Sequence, residues 1–456
     1  MLKNLLFTGG NKNESWVASL GGTSVDMGYS ACLDKKGNVI ITGYANTAGS
    51  DLPQGAQQAI LAKYNTKGEI LWQRALGTTT GACAGLSIDI SDDDFIYIGG
   101  YYKVNAPYGA SLIAKYDLNG TLIWQRFVKE SSNSQLIDSS ESSSICAGND
   151  GYVYLSGYVY TYDKTSGYVS IRRSRIVRID INGSSCKYNS KSPSGSANTS
   201  VKMRPNGGVF FVGTGNVSNG HISTYTDEFI GDFYIAINSP NPVNNMHALY
   251  PKDTVVSPDG FIYVCANSNI NPFGYVLFKF DSNFNMVWQK CLVMPRSRNC
   301  TGMCIDTNGY VYVCGNYNLS DDQQYTCIVA KFNSSGVLLW QKLITSTDVV
   351  GGNISLSSIR CSKDKSLYLC GNIDLSSTSF GTNIMLAKLT YKDIENSGIS
   401  SVSIGPVTIQ DIDFDIIDSP FICIRTTDGS SSYTISTQAA NLYDRDPKFT
   451  SILYTE

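Results

Sequence analysis

No run of about 18 apolar residues interrupts this sequence, so no transmembrane helix is expected. Charge is scarce: Asp, Glu, Lys and Arg together make 16% of the residues and sum to a net charge of −3. Such a balance gives no electrostatic reason to expect a nucleic-acid partner. Histidine is rarer still, with two in 456 residues. Neither His221 nor His247 stands in an HxxxH or HExxH pattern, so no metal site is expected. A G-x-S-x-G elbow and a phosphate-binding loop are both missing, and no amphipathic helical stretch is present. The 13 cysteines form no CxxC pair; several occupy repeated strand positions where other copies carry Thr, Ser, Gly or Val, and they read as small buried thiols. The opening Met1–Gly10 has one lysine and a very short apolar patch, without the longer apolar core and cleavage site of a signal peptide. Synthesis and folding in a cytosol is the corresponding expectation.

What is abundant is Gly, Ser, Asn and Tyr, and a repeat. Lys63–Gln73 (KYNTKGEILWQ) returns as Lys115–Gln125 (KYDLNGTLIWQ), Lys279–Gln289 (KFDSNFNMVWQ) and Lys331–Gln341 (KFNSSGVLLWQ), each a strand, a tight turn and a strand. A second hairpin precedes each, as in Asp34-Lys-Lys-Gly-Asn-Val-Ile-Ile-Thr-Gly-Tyr44. Its small-residue column runs Gly43, Gly100, Gly157, Gly213, Ala266, Gly315, Gly371, at intervals of 57, 57, 56, 53, 49 and 56. A period near fifty with four strands per period, A to D from the inside out, predicts an all-β, seven-bladed β-propeller. The seventh copy lacks its Trp-Gln strand, and Trp16-Val-Ala-Ser-Leu-Gly21 matches the missing piece, so the N-terminal strand is expected to close the last blade. This gives an arm over 1–12, the propeller over 13–392, and a small β-rich segment over 393–456 for attachment or oligomerisation.

The five tryptophans, Trp16, Trp72, Trp124, Trp288 and Trp340, fall in one column and read as blade-to-blade packing residues rather than sugar platforms. A column of Lys63, Lys115, Arg178, Lys279, Lys331 and Lys388 reads as structural or solvated. Two blades look irregular: Lys187 replaces the tryptophan in the third, and Asn238–Asn245 stands where the fourth hairpin should turn, with His221 in a Gly/Ser-rich loop before it. The run Asp92–Asp94 reads as a solvated turn in preference to a Ca²⁺ site.

These hairpins resemble the SBBP-type β-propeller repeat, which pairs D-x-x-G-N-x-Y-x-x-G with K-x-[DN]-x-x-G-x-x-x-W, over roughly residues 16 to 390. The resemblance implies a propeller, as found in secreted bacterial proteins and phage virion proteins, and no single activity.

Function is then expected in what does not repeat. The short A–B and C–D turns share one face, and the longer B–C and D–A connections share the other. On that loop face, Tyr102, Tyr108, Tyr160, Tyr162, Tyr168, Tyr317 and Tyr325 sit among Ser, Gly and Asn, a recognition composition. The first reading is a non-enzymatic phage virion protein of a tail, fibre or capsid. Its expected partners are other virion proteins through 393–456, a host-surface glycan, and further copies of itself, with no cofactor and no membrane insertion. The second reading is a lyase or glycosidase on the same scaffold, using two converging carboxylates. The third is a bacterial surface adhesion or scaffold protein.

Overall fold

The computed structural model describes residues 3–7, 14–46, 57–77, 81–105, 108–128, 136–163, 169–191, 197–214, 220–226, 231–238, 249–269, 273–294, 298–318, 325–346, 353–374, 381–395, 401–404, 406–419, 422–427, 438–439, 442–443 and 452–454. Seven antiparallel sheets follow one another, each built on four repeat strands, consecutive in all but the seventh, and the fold is a seven-bladed β-propeller. The chain divides into two compact units. One holds blade 1 (27–76), blade 6 (298–346) and blade 7 (354–389 with Trp16–Gly21); the other holds blades 3 and 4 (136–191 and 197–238) and most of blades 2 and 5 (82–128 and 249–293).

The turn chemistry explains why the hairpins form where they do. Asp34 Oδ1 accepts the Lys36 and Asn38 N–H groups, both at 2.9 Å. Asn65, Asp117, Asp281, Asp306 and Asn333 do the same for the residues two and four places on. The following glycine, as at Gly37 or Gly68, has φ near +85°, a region that costs a side chain strain. Asp94, Phe284 and Lys365 take that place in three turns with φ of 62–64°.

The small-residue column has a steric cause. In blades 1, 3, 4, 5, 6 and 7 strand A carries a bulge opposite strand B. A Cβ on Gly43 would stand 1.8 Å from the Met27 carbonyl oxygen, and one on Gly371 1.9 Å from that of Ser355.

In the first unit, strand Trp16–Gly21 pairs with Thr382–Leu389 and completes blade 7, as the sequence predicts. Strand Lys3–Phe7 then adds outside it as a fifth strand. Ser15 accepts the Thr390 N–H at 2.8 Å and joins Asp393 in the short helix Tyr391–Glu395, which fixes this junction. Trp16 is fully buried, packs on Tyr64 and Tyr368, and donates Nε1–H to the Thr66 carbonyl at 3.1 Å, binding blade 7 to blade 1.

Among the described residues after 392, Ile394, Ile404, Val407 and Ile409 pack into a core shared with blades 6 and 7. Described strands of this region add to the outside of the blades: Val407–Asp411 on blade 6, Ile416–Asp418 on blade 5, Ile422–Thr427 on blade 4, Gln438–Ala439 on blade 3, Leu442–Tyr443 on blade 2 and Ile452–Tyr454 on blade 1. The blades are visited in descending order. Strand Ser401–Ile404 pairs with Val407–Asp411 as a hairpin. The six outer strand edges that would otherwise lie open favour this use of the segment.

The fourth blade corrects the sequence reading. Asn238–Asn245 is not its hairpin turn: strands C and D are Gly220–Tyr225 and Gly231–Asn238, so this stretch follows strand D. His221 lies in strand C at 3% exposure, edge-on to Phe211, not in a loop. The strand is buried along its length, so small residues replace the polar alternation that marks a half-exposed strand. His247 lies outside the described residues.

Candidate functional site

The repeated polar columns are structural. Lys63 pairs with Asp34 at 2.9 Å, Lys388 donates to the Thr66 carbonyl at 3.3 Å, and Lys331 binds Glu395. Lys115 and Lys279 place their ammonium groups 3.9 and 4.0 Å from the Phe95 and Phe261 ring centres, and Arg178 lies 4.3 Å from that of Tyr152. All six are buried. Trp124, Trp288 and Trp340 pack on Tyr97, Tyr263 and Tyr312 of their own blades, at 5.9–6.1 Å between ring centres. Trp124 also donates to the Ile181 carbonyl of blade 3 at 3.1 Å. Trp72 is 9% exposed, under the Arg74 guanidinium.

The loop-end tyrosines divide. In blade 2, strands Ile96–Asn105 and Tyr108–Tyr116 run on until Asn105 faces Tyr108, so most of the stretch read as a loop is ladder. Just past Gly100, Tyr101 and Tyr102 are half-buried; Tyr102 rests 4.9 Å from Phe127, and Lys103 stands 4.3 Å over the Tyr101 ring. Blade 3 extends further. Its strands Leu136–Ala147, Tyr152–Asp163 and Val169–Asp180 have 12 residues each. Just past Gly157, half-buried Tyr158 and Tyr160 meet edge-to-face at 5.0 Å. Tyr162 stands two positions further along the strand, opposite Ile137 on one side and Val169 on the other. Tyr101 and Tyr158 were passed over by sequence reasoning; their signal was the repeated Tyr after the glycine.

Tyr317 of blade 6 is 5% exposed and packs edge-on against Phe414 of the C-terminal segment, 5.3 Å away. Tyr325 stands opposite Asn318 in the same blade. Tyr168 lies outside the described residues.

Two acidic environments bear on catalysis. Asp26, between strands Trp16–Gly21 and Met27–Leu33, is fully buried and accepts the Gly22 and Asn46 N–H groups at 2.8 and 3.0 Å. Burial pushes its pKa up to about 6, against those two hydrogen bonds. Asp34 and Asp364 move the other way. Burial opposes the shift, but hydrogen bonds from Lys63 and Asn38 to Asp34, and from Ser362 and Ser366 to Asp364, hold both below the usual carboxylate range. Among the described residues no group of His, Cys, Asp and Glu is placed to hold a metal ion. Twelve cysteines stand outside any disulfide among the described residues and, apart from half-buried Cys361, are buried.

Seven antiparallel blades of this kind define the class of protein, a β-propeller. No known protein-family profile and no curated protein matches the sequence. Some solved structures align with the chain at low similarity. A leech intramolecular trans-sialidase aligns over 85% of this chain and 93% of its own, at TM-score 0.45 and 8% identity. The polysaccharide lyase Uly1 aligns over 80% and 90%, at TM-score 0.42 and 11% identity. A protein of unknown function from Dyadobacter fermentans aligns over 69% and 95%, at TM-score 0.43 and 9% identity.

Proposed function

We propose that the protein is a carbohydrate-binding propeller that engages a surface glycan through the loop-end tyrosines of blades 2 and 3. The observation that carries this reading is the equivalent placement of Tyr101 directly after Gly100 and Tyr158 directly after Gly157, with Tyr102 and Tyr160 close by, all half-buried. Such side chains present rigid apolar faces to sugar C–H groups, with hydroxyls at the rim, and lose little rotamer freedom on binding. Lys103 over Tyr101 adds a positive charge beside them.

The second reading, a lyase or glycosidase on the same scaffold, draws on Asp26. A carboxyl with a pKa near 6 matches what an acid catalyst needs. Binding is preferred because Asp26 is fully buried, out of reach of a polysaccharide, while the tyrosines are partly open to solvent. Display on a phage virion, attachment through 393–456 and self-association rest on composition and the repeat resemblance. The pairing of that segment with the blades supplies an intramolecular role for it instead.

The test is a glycan array with the purified protein, followed by mass spectrometry of any retained glycan after prolonged incubation. Retention of intact glycan, lost in Tyr158→Ala/Tyr160→Ala, is expected. Shortened or unsaturated products would move the assignment to the enzyme reading. Full retention by the double variant would remove the tyrosines from the site.

A further inference from the structure

On the turn face of the first unit, the A–B turns of blades 1 and 7 enclose a cleft of about 460 Å³. Leu33–Gly37 forms one wall and Cys361–Asp364 the other, with Thr66 and the buried Tyr368 between them. The blades are clasped here by Trp16 and Lys388 donating to the Thr66 carbonyl, so the walls are held in place. The volume lies in the range of small-molecule sites.

Its charge is not part of the repeat. The equivalent turn occurs in all seven blades, as Asp34–Gly37, Ser91–Asp94, Gly148–Gly151, Arg204–Gly207, Ser257–Gly260, Asp306–Gly309 and Ser362–Lys365. Lysine appears in only two of them, as Lys35 and Lys36 in blade 1 and Lys363 and Lys365 in blade 7, and these two border the cleft. Lys35, Lys36 and Lys363 are exposed, and neither Lys36 nor Lys363 has an ion-pair partner among the described residues. Of the two lining carboxylates, exposed Asp364 offsets one of these positive charges, and Asp34 offsets none. Asp34 is neutralised by Lys63 and accepts from Lys36 N, Asn38 N and Asn38 Nδ2. Asp364 accepts from the Ser362 hydroxyl and the Ser366 N–H.

We propose that this cleft is a second binding site, separate from the loop-face tyrosines, for a compact organic oxyanion: a carboxylated or sulfated sugar of one or two rings. The lysine ammonium groups meet the oxyanion at the mouth, and the polar turn atoms and Thr66 face the sugar hydroxyls. Because the lysines are exposed, binding is screened by salt.

The experiment is isothermal titration of the full chain, at low ionic strength, with glucuronate, a sulfated disaccharide, glucose and inorganic sulfate. Both anionic sugars are expected to bind and glucose is not. Lys36→Ser/Lys363→Ser should weaken the anionic sugars at least ~10-fold, as should added salt, while Tyr158→Ala/Tyr160→Ala leaves them unchanged. The charge-reversal pair Lys36→Glu/Lys363→Glu should abolish binding, with the unfolding midpoint of each variant recorded alongside. Unchanged affinity in both lysine variants would overturn the proposal. Inorganic sulfate binding as tightly as the sulfated disaccharide would also overturn it, since the cleft would then read charge and not a sugar.

Discussion

Lys63 Nζ lies 2.9 Å from Asp34 Oδ2, and both side chains are nearly shut off from solvent, at 7% and 1% exposure. The pair ties strand C of blade 1 to its A–B turn, which Asp34 also holds through two backbone N–H groups. Removing the lysine leaves a buried carboxylate without its cation. Lys63→Met is therefore expected to lower unfolding free energy by about 3–5 kcal/mol, measured by urea denaturation. A loss no larger than that of an exposed ion pair would show that water reaches the site.

Asparagine side chains join the blades of the first unit. Asn372 Oδ1 accepts the Gly28 N–H at 2.8 Å, and Asn316 Oδ1 accepts the Leu356 N–H at 2.7 Å. Each reaches the bulged strand A of the next blade. Asn372→Ala leaves a buried N–H without a partner, and a cost of about 1–3 kcal/mol is expected. Amide exchange at Gly28 should speed up more than exchange at the centre of strand B; equal change at both would argue for global loosening.

The pH profile should carry the mark of Asp26. Its pKa rises on folding to about 6, so the folded state holds that proton more tightly than the unfolded state. The resulting stability is complete below about pH 4 and is lost as pH rises through about 6, with a swing of about 2–3 kcal/mol. Asp34 and Asp364, shifted down, work in the opposite sense and stabilise only above about pH 4. Thermal unfolding should therefore show an optimum between about pH 4 and 6. Asp26→Ala should flatten the fall on its neutral side, whatever it does to the absolute midpoint. A fall equally steep in the variant would assign it to another group.

Deleting the chain from residue 401 should expose the outer strand edges that the C-terminal segment covers. Six-residue pairing with Gly231–Asn238 and five-residue pairing with Leu338–Ser346 are the longest of these covers. Bare edges of this length recruit other strands. Light scattering should show concentration-dependent association of the truncated protein where the full chain shows less; a truncated protein that stays monomeric would show that the edges protect themselves.

The blade pattern was readable because each of its signals has one physical cause. Asp or Asn opens a turn by capping two N–H groups, glycine ends it at positive φ, and the glycine of strand B clears the carbonyl of a bulge. The fifth strands were not readable. They are held by backbone groups on an edge, which asks little of side chains, and nothing in Val407–Asp411 or Ile422–Thr427 names a partner blade. The cleft was hidden for another reason: its two lysine-bearing turns lie at opposite ends of the repeat array. The fourth blade was misplaced because its fully buried strand C, with Gly220, Ser223 and Thr224, has the composition of a loop.

Ser15 and Thr390 stand 375 positions apart in the chain, yet they meet in one blade. A ribosome making this protein must therefore deliver almost the entire repeat array before blade 7 can acquire its fourth strand, and must pass residue 454 before Ile452–Tyr454 can reach blade 1. Contacts of such sequence separation form slowly, and until they form the nascent blades present open edges to one another. The interval between completion of the first blade and the arrival of Ile452–Tyr454 is thus the period in which this chain most needs a chaperone, or a slow supply of neighbours.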